Sequence, residues 1–546
     1  MAKISFIFLI ITVLFFNIAP AQNYRFGYLI EFTDKNNTIY NIENPEEYLS
    51  ERAIERRQKF NIEITSQDFP VNKTYTDSIV KLGAKLHVTS RWFNSAVFFT
   101  DSVNFPDKVS NISFVSNCKL VYKTDKKKSA LSQNKLKSVS DDEIYGNSYN
   151  QIAMCNAQKL HYKGFKGKGI QIAVLDGGFH NVNTMECFDS LFMNNRILGY
   201  WDFVEQNDNV FDDHTHGMGV LSIMGGNLPG QLMGSAPEAS YYLFRTENVY
   251  SEYPIEEENW IAAAERADSA GVDIITASLG YNNFDDENMS YTYEDMNGKT
   301  ARITKGAEVA FSKGIFMINS AGNEGTNSWH YITAPSDGEH VLCVGAVAEN
   351  REIAPFSSRG PSADGRIKPD VMATGYGTTL IYADGTVGYG NGTSYSCPLM
   401  AGMIACLWQA LPDKSNVEIL SLIHEISDRY DNPDNDYGYG IPDFAKLSFL
   451  IDSSNFNKKS DDDVVTIYPN PFTDKIMFQL FINKSQTVKI VLYNNLGKKV
   501  YYTEKYFFPA SYNLVILDDL PKLQRGFYSL SIYTEQKTLS TKIVKE

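Results

Sequence analysis

Apolar and polar positions divide the chain into stretches of different periodicity. Lys3 precedes an apolar run from Ile4 to Ile18, which Ala19-Pro20-Ala21 follows. A charged start, a hydrophobic segment and an A-x-A site predict a secretory signal over 1–21, removed after about Ala21. The competing reading is a retained membrane anchor; the helix-breaking Pro20 and the small-residue site argue against it. Residues 22–125 alternate with a period of two in short segments, Tyr24 to Phe32, Lys85 to Val88 and Ser95 to Thr100, around a charged helical stretch from Pro45 to Phe60. That predicts a small α+β unit. From Lys126-Lys127-Lys128 to about Glu143 the apolar pattern disappears, so 126–144 is an exposed linker.

From Ile152 to Leu450 the pattern changes again. Gly169 to Leu175 is an apolar run ending at Asp176-Gly177-Gly178. An amphipathic helix from Asn259 to Ala270 feeds a strand from Val272 to Ala277, and a helix from Thr304 to Lys313 feeds Ile315 to Asn319. Val341 to Val347 is another buried strand. Apolar strands alternating with helices predict an α/β fold, a parallel sheet with helices on both faces. In such sheets functional residues gather beyond the carboxyl ends of the strands, where Asp176, Ser278-Leu279-Gly280 and Ser320 to Asn323 fall. A polar linker over 452–464 follows. Short strands from Ile467 onward (Lys475 to Ile482, Val488 to Tyr493, Lys499 to Tyr502, Tyr512 to Leu517, Phe527 to Tyr533, Thr538 to Val544) predict a small β-sandwich over 465–546.

Composition changes this picture only at its edges. With 546 residues, several domains are expected. A formal charge of −15 argues against nucleic acid as a partner, because phosphate binding requires a basic face. Six cysteines without CxxC pairing make a zinc site improbable, so no metal is assigned. Cys397 and Cys406 belong to an apolar helix and are expected in the core, whereas a Cys155–Cys187 bridge stays open. Asp208, Asp212 and Asp213 lack EF-hand spacing; structural calcium there is weighed below solvated loop charge. Asn391-Gly392-Thr393 matches a glycosylation acceptor, but a glycan there would block the serine loop beside it.

That loop, Gly390 to Pro398, carries the chemistry. Small, turn-prone residues lead into Ser394, and an apolar run to Ala410 predicts a buried helix after it. A serine at a helix start lies among unpaired first-turn N–H groups, which stabilise a negatively charged oxygen. A hydroxyl needs a base to become a good nucleophile, and the base needs an orienting carboxylate. His216, in a polar turn before the apolar run from Val220 to Met224, is presented in the same way; His214 is a nearby candidate surface partner. Asp176 ends a buried strand. The order Asp176, His216, Ser394 excludes the α/β-hydrolase order and matches that of subtilisin.

Val174 to Gly178, His216 to Val220, Ser320 to Asn323 and Gly392 to Ser394 with Pro398 resemble the four active-site blocks of the subtilisin-like (S8, subtilase) serine proteases. The resemblance implies Ser394 as nucleophile, His216 as base, Asp176 as its orienter and the Asn323 side chain as oxyanion donor. It implies that Ser278, Leu279 and Gly280 pair with the substrate backbone, and that the chemistry requires no cofactor. Two departures stand out: Tyr395 and Ser396 follow the serine where Met and Ala are usual, and Met218 and Gly219 stand where Thr and His are usual. The unit at 22–125 is similar, more loosely, to an inhibitory prodomain. The segment with Tyr468 to Pro471, Arg525 to Tyr528 and Lys542 to Lys545 is similar to type A sorting domains of Bacteroidota, which the type IX secretion machinery recognises. The expected protein is a secreted serine endopeptidase made as a zymogen, with a catalytic domain over 145–451. Its expected partners are peptide substrates, its own propeptide and the outer-membrane secretion machinery. A secreted binding protein and a serine esterase on the same fold are the alternatives.

Overall fold

The computed structural model describes residues 24–124, 144–447, 450–451, 467–468, 470–481, 485–507, 512–535 and 538–546. The expected signal segment and both expected linkers (apart from residue 144) lie outside the described residues.

The N-terminal unit is a four-stranded antiparallel sheet with helices on it. Its strands are β1 (Phe26–Phe32), β2 (Lys85–Ser90), β3 (Ser95–Thr100) and β4 (Val115–Lys123), in spatial order β2-β3-β1-β4. Its helices are α1 (Glu51–Lys59), α2 (Lys73–Val80) and the short α3 (Phe105–Val109). The charged stretch expected as one helix from Pro45 is broken: a 3-10 turn over Pro45–Glu47 precedes α1, whose N-cap Ser50 accepts from the Ala53 N–H. A serine that caps cannot also continue the preceding turn, so the helix starts there.

The central domain opens with the short helices α4 (Tyr149–Ala153) and α5 (Gln158–Tyr162), then β5 (Gln171–Asp176), α6 (Asp189–Met193), β6 (Ile197–Asp202) and α7 (His216–Gly225). A two-residue-strand hairpin, β7 (Asn227–Leu228) and β8 (Leu232–Met233), leads to β9 (Ser240–Arg245) and α8 (Ile255–Ala270). There follow β10 (Ile274–Ala277), α9 (Arg302–Ser312), β11 (Phe316–Ser320), β12 (Val341–Val347) and β13 (Val371–Thr374). The hairpin β14 (Tyr376–Ile381) and β15 (Val387–Asn391) delivers α10 (Thr393–Ala410), and α11 (Asn416–Ile426) comes after it. Seven strands form one parallel sheet in the order β13-β12-β11-β10-β5-β9-β6. All residues of β10, β11, β12 and β13 are buried, as a sheet covered on both faces requires.

Helices α7 and α10 contribute to the core on one face, and α8 and α9 to that on the other. The second core also takes in Leu29, Val88, Trp92, Val97 and Val121 of the N-terminal unit. Polar contacts reinforce that junction. Glu265 of α8 accepts from Ser90 Oγ (2.6 Å) and from the backbone N–H groups of Arg91 (2.9 Å) and Trp92 (3.0 Å). Asp268 is held by Arg56 (2.5 Å) and Arg57 (2.9 Å), and Arg57 also reaches Asp68 (2.9 Å). Helix α8 begins at Ile255, four residues before the expected start; its first turn carries Glu256, Glu257 and Glu258, which suit the positive end of a helix.

The C-terminal unit has a three-stranded sheet, β16 (Ile467–Tyr468), β17 (Ile476–Phe481) and β20 (Tyr512–Leu517), and a four-stranded one, β18 (Gln486–Asn494), β19 (Lys499–Phe507), β21 (Gly526–Tyr533) and β22 (Thr538–Lys545). Phe478, Leu480 and Val515 from the first meet Ile490, Leu492, Leu530 and Ile532 from the second in one buried cluster.

His87 of β2 is buried and donates from Nε2 to Asn259 Oδ1 (2.9 Å) on α8. Burial pushes its pKa down to about 4. A depressed value in the docked state means that stability is full above the ordinary value of about 6.5 and is lost as pH falls from there toward 4. Docking of the N-terminal unit is therefore expected to weaken between pH 7 and pH 5, by up to about 1.4 kcal/mol per pH unit below 6.5 from this group. Denaturant melts at the two pH values check it: His87→Gln should show a smaller loss than the unsubstituted protein. An identical loss in both would refute it.

Candidate active site

Strand β5 is apolar from Ile172 to Leu175 and ends at Asp176, which Gly177 and Gly178 follow. Asp176 is 3% exposed, and its Oδ1 accepts from the Gly177 N–H at 2.7 Å. His216 is the first residue of α7, whose remaining nine residues, Gly217 to Gly225, are all buried. Its Nδ1 lies 2.9 Å from each Asp176 carboxylate oxygen. This approach depends on the residue after the histidine. A Cβ on Gly217 would stand 2.5 Å from the Gly178 carbonyl oxygen and 2.9 Å from Asp176 Cβ, so α7 can lie this close to β5 only with glycine there. The His216 N–H donates to His214 Nδ1 at 3.3 Å.

The two histidines are tuned in opposite directions. Burial disfavours the charged form of His216, but the Asp176 charge and hydrogen bond, with a contribution from Glu247, outweigh it and raise its pKa. Burial, followed by the charge of His216, lowers that of His214. The imidazole that faces the carboxylate is the one that takes a proton readily.

Ser394 is the second residue of α10, so its N–H is one of the first-turn donors. Its hydroxyl donates to the Ser278 carbonyl (3.3 Å), and Ser278 Oγ donates to the Ser394 carbonyl (2.9 Å). The helix start is thereby tied to the residue after β10. Asn323 lies three residues beyond β11. Its Oδ1 accepts from the Thr393 N–H (3.0 Å) and Thr393 Oγ1 (3.1 Å), leaving Nδ2 as the free-facing donor of the amide. Thr393 Oγ1 also accepts from the Gly322 N–H at 3.2 Å. Thr393 thus locks the amide beside the serine, a role its position before Ser394 hinted at without specifying.

At the Ser278–Gly280 edge, the Leu279 carbonyl is occupied by Asn319 Nδ2 (2.8 Å), while that of Ser278 holds the exchangeable Ser394 hydroxyl. A Cβ on Gly280 would overlap Thr333 Oγ1. Thr333 is 2% exposed and its hydroxyl has no hydrogen-bond partner. Neither Thr333 nor Glu247 carried any sequence signal, because both reach the site from loops remote from the four motifs.

The remaining candidates resolve simply. All six cysteines are free, Cys155 and Cys187 included, and Cys397 and Cys406 are buried. Among the described residues no cluster of three or more His, Cys, Asp or Glu could hold a metal. Asp213 pairs with Arg245 (3.1 Å), and Asp212 accepts from Asn209 Nδ2 (2.6 Å). Asn391 Oδ1 accepts from the Gly377 N–H (2.8 Å), tying that side chain to the β14–β15 hairpin.

Residues 167–440 match the subtilase family model, Peptidase S8, over half of the chain. The chain belongs to the subtilase family. Residues 27–138 match the peptidase S8 propeptide domain of Bacteroidota, and 466–546 match a secretion system C-terminal sorting domain. This subtilase is 31% identical over 304 residues to serine protease AprX of Bacillus subtilis, covering 50% of this chain and 65% of that protein. It is 29% identical over 274 residues to subtilisin E of the same species, covering 49% and 63%. The chain thus spans less than two thirds of the length of each. The fold resembles that of the epidermin leader peptide processing serine protease of Staphylococcus aureus, with a TM-score of 0.54 at 14% identity over 79% of this chain and 99% of that one. At its two departures from the usual motifs, Tyr395 sets its ring 6.0 Å from that of His216, and Met218 is buried in the α7 core.

Two measurements bear on the Asp176–His216 pair. NMR titration should place the His216 pKa above the ordinary value of about 6.5, and Asp176→Asn should bring it down; a value unmoved by that change would contradict the electrostatic account. Gly217→Ala should destabilise the protein by about 1–3 kcal/mol through overpacking, read in denaturant melts. A neutral substitution would mean that α7 can retreat from β5 at no cost.

Proposed function

We propose that the chain is a serine endopeptidase, made as a zymogen and exported, that cleaves peptide bonds through an acyl-enzyme on Ser394. The observation that carries this reading is the buried Asp176 carboxylate, with both oxygens 2.9 Å from Nδ1 of His216, at the rim where Ser394 lies in the first turn of α10. Ser394 Oγ attacks the scissile carbonyl as His216 Nε2 accepts its proton. The bond between carbonyl carbon and Oγ forms, and the carbonyl electrons move to its oxygen. Asp176 stabilises the imidazolium. Asn323 Nδ2 and the Ser394 N–H hold the oxyanion. His216 then protonates the leaving amine, the C–N bond breaks, and water activated by the same imidazole releases the acyl group.

Turning the Ser394 hydroxyl toward His216 frees the Ser278 carbonyl, which then accepts a substrate N–H along the Ser278–Gly280 edge. The propeptide match and the packing of that unit on α8 support synthesis as a precursor, with maturation in the 126–144 region. The sorting-domain match supports delivery to the exterior or the cell surface. Among the described residues no helix is long and apolar enough to cross a membrane.

Fluorophosphonate labelling followed by mass spectrometry, with a casein digest, tests the assignment. The label is expected on Ser394, and casein cleavage should vanish in Ser394→Ala. Asn323→Ala should lower kcat by roughly 10²–10³-fold with little change in KM. Labelling without peptide cleavage would point to an esterase, and no labelling to a binding protein.

A further inference from the structure

The acids along the junction of α8 with the N-terminal unit are largely matched by cations: Asp268 by Arg56 and Arg57, and Glu258 by Arg302 (2.9 Å). Two acids nearer the cleft differ. Glu247, two residues past β9, and Glu256, in the first turn of α8, form no ion pair among the described residues. Glu247 accepts from Thr246 Oγ1 (2.7 Å) and from the Tyr281 hydroxyl. Glu256 is 1% exposed; its carboxyl hydrogen-bonds to that of Glu247, and its Oε1 has no partner. Burial raises the pKa of both carboxyls, and the charge on Glu247 adds to the rise at Glu256. An arriving cation would offset that cost.

Glu247 lies beside the cleft, with Glu256 behind it in a cavity shared with Lys85 and His87. Glu247 is partly exposed, and its Cβ lies 3.7 Å from where a Cβ on Gly177 would stand, next to Asp176. Its partner Tyr281 follows the Ser278–Gly280 edge directly. Glu247 therefore bridges, over the end of β5, the side that carries His216 and the edge that would hold a substrate. In an extended peptide along this edge, side chains alternate between two faces. A peptide whose scissile carbonyl met Asn323 Nδ2 with its side chain on the β11 side would, by that alternation, turn the preceding side chain toward β5 and β9, where His216 and Glu247 lie.

We propose that Glu247, backed by Glu256, selects substrates with Lys or Arg at the second residue before the scissile bond. This rests on the endopeptidase reading. The chain itself offers such side chains: Lys123, at the end of β4, pairs with Asp286 (2.8 Å) in the loop beyond the edge, and Lys126, Lys127 and Lys128 follow it in sequence.

The test uses the full chain, expressed and allowed to mature, with two fluorogenic peptides that differ only in Lys or Gln at that residue. The kcat/KM ratio is expected to favour Lys by about 10- to 100-fold, the range of a hydrogen bond to a charged group. Glu247→Gln should collapse the ratio, and Glu256→Gln should narrow it, with fluorophosphonate labelling of each variant reporting an intact serine site. Equal cleavage of both peptides by the unsubstituted enzyme would overturn the inference alone. So would a Lys preference that survives Glu247→Gln in protein that still labels. Cleavage of neither peptide despite labelling of Ser394 would overturn the endopeptidase reading and this inference with it.

Discussion

A carboxylate almost sealed from water must be satisfied by donors, and the Asp176–His216 contact meets that requirement. Burying an unpaired carboxylate is costly, so Asp176 needs both its Gly177 N–H and the imidazole. The imidazole can approach only because the next residue has no side chain, which fixes α7 against the end of β5. Helix α7 in turn packs on α10, and α10 carries Ser394 at its start. Core packing and the polar geometry of the site are thus one constraint. A shift of α7 away from the sheet would unpair a buried charge as well as open a cavity.

The same principle governs the junction with the N-terminal unit, with a different outcome. Asp268, Asp68, Arg56 and Arg57 form a buried network in which each charge has an opposite partner. Removing one partner of such a network typically costs about 3–5 kcal/mol, because the other charge stays buried and unpaired. Were the whole unit to leave, the cations and donors that hold Asp268 and Glu265 would leave with it, and water could take their place. The junction is therefore held by buried charges that are each matched across it.

The linkage between Ser278 and Ser394 joins the substrate edge to the nucleophile helix. Each serine donates to the other's carbonyl, so the end of β10 and the start of α10 move together. Thr393 adds a second tie, from α10 to the loop after β11. Two separate strand ends are thereby held to one helix start by a handful of hydrogen bonds. The precision of the site comes from these ties more than from any single motif.

Local patterns were enough to reveal the class of fold and to single out Asp176, His216 and Ser394 as candidates for its chemistry. Alternating apolar strands and helices signal a covered parallel sheet, and glycine turns beside Asp176, His216 and Ser394 mark strand ends and helix starts, because these features depend on neighbours within a few residues. Boundaries were less legible: α8 starts four residues early, at Ile255, and the stretch after Pro45 breaks at the Ser50 cap. The parts contributed by Glu247, Tyr281, Thr333 and Thr393 were not legible, since each depends on which loop lies across from it. The chain by itself determined which reactive groups exist and how each is presented. Tertiary structure alone decided which of them meet and which acids lack a cation, because charge compensation and close approach are properties of neighbours in space, not in order along the backbone.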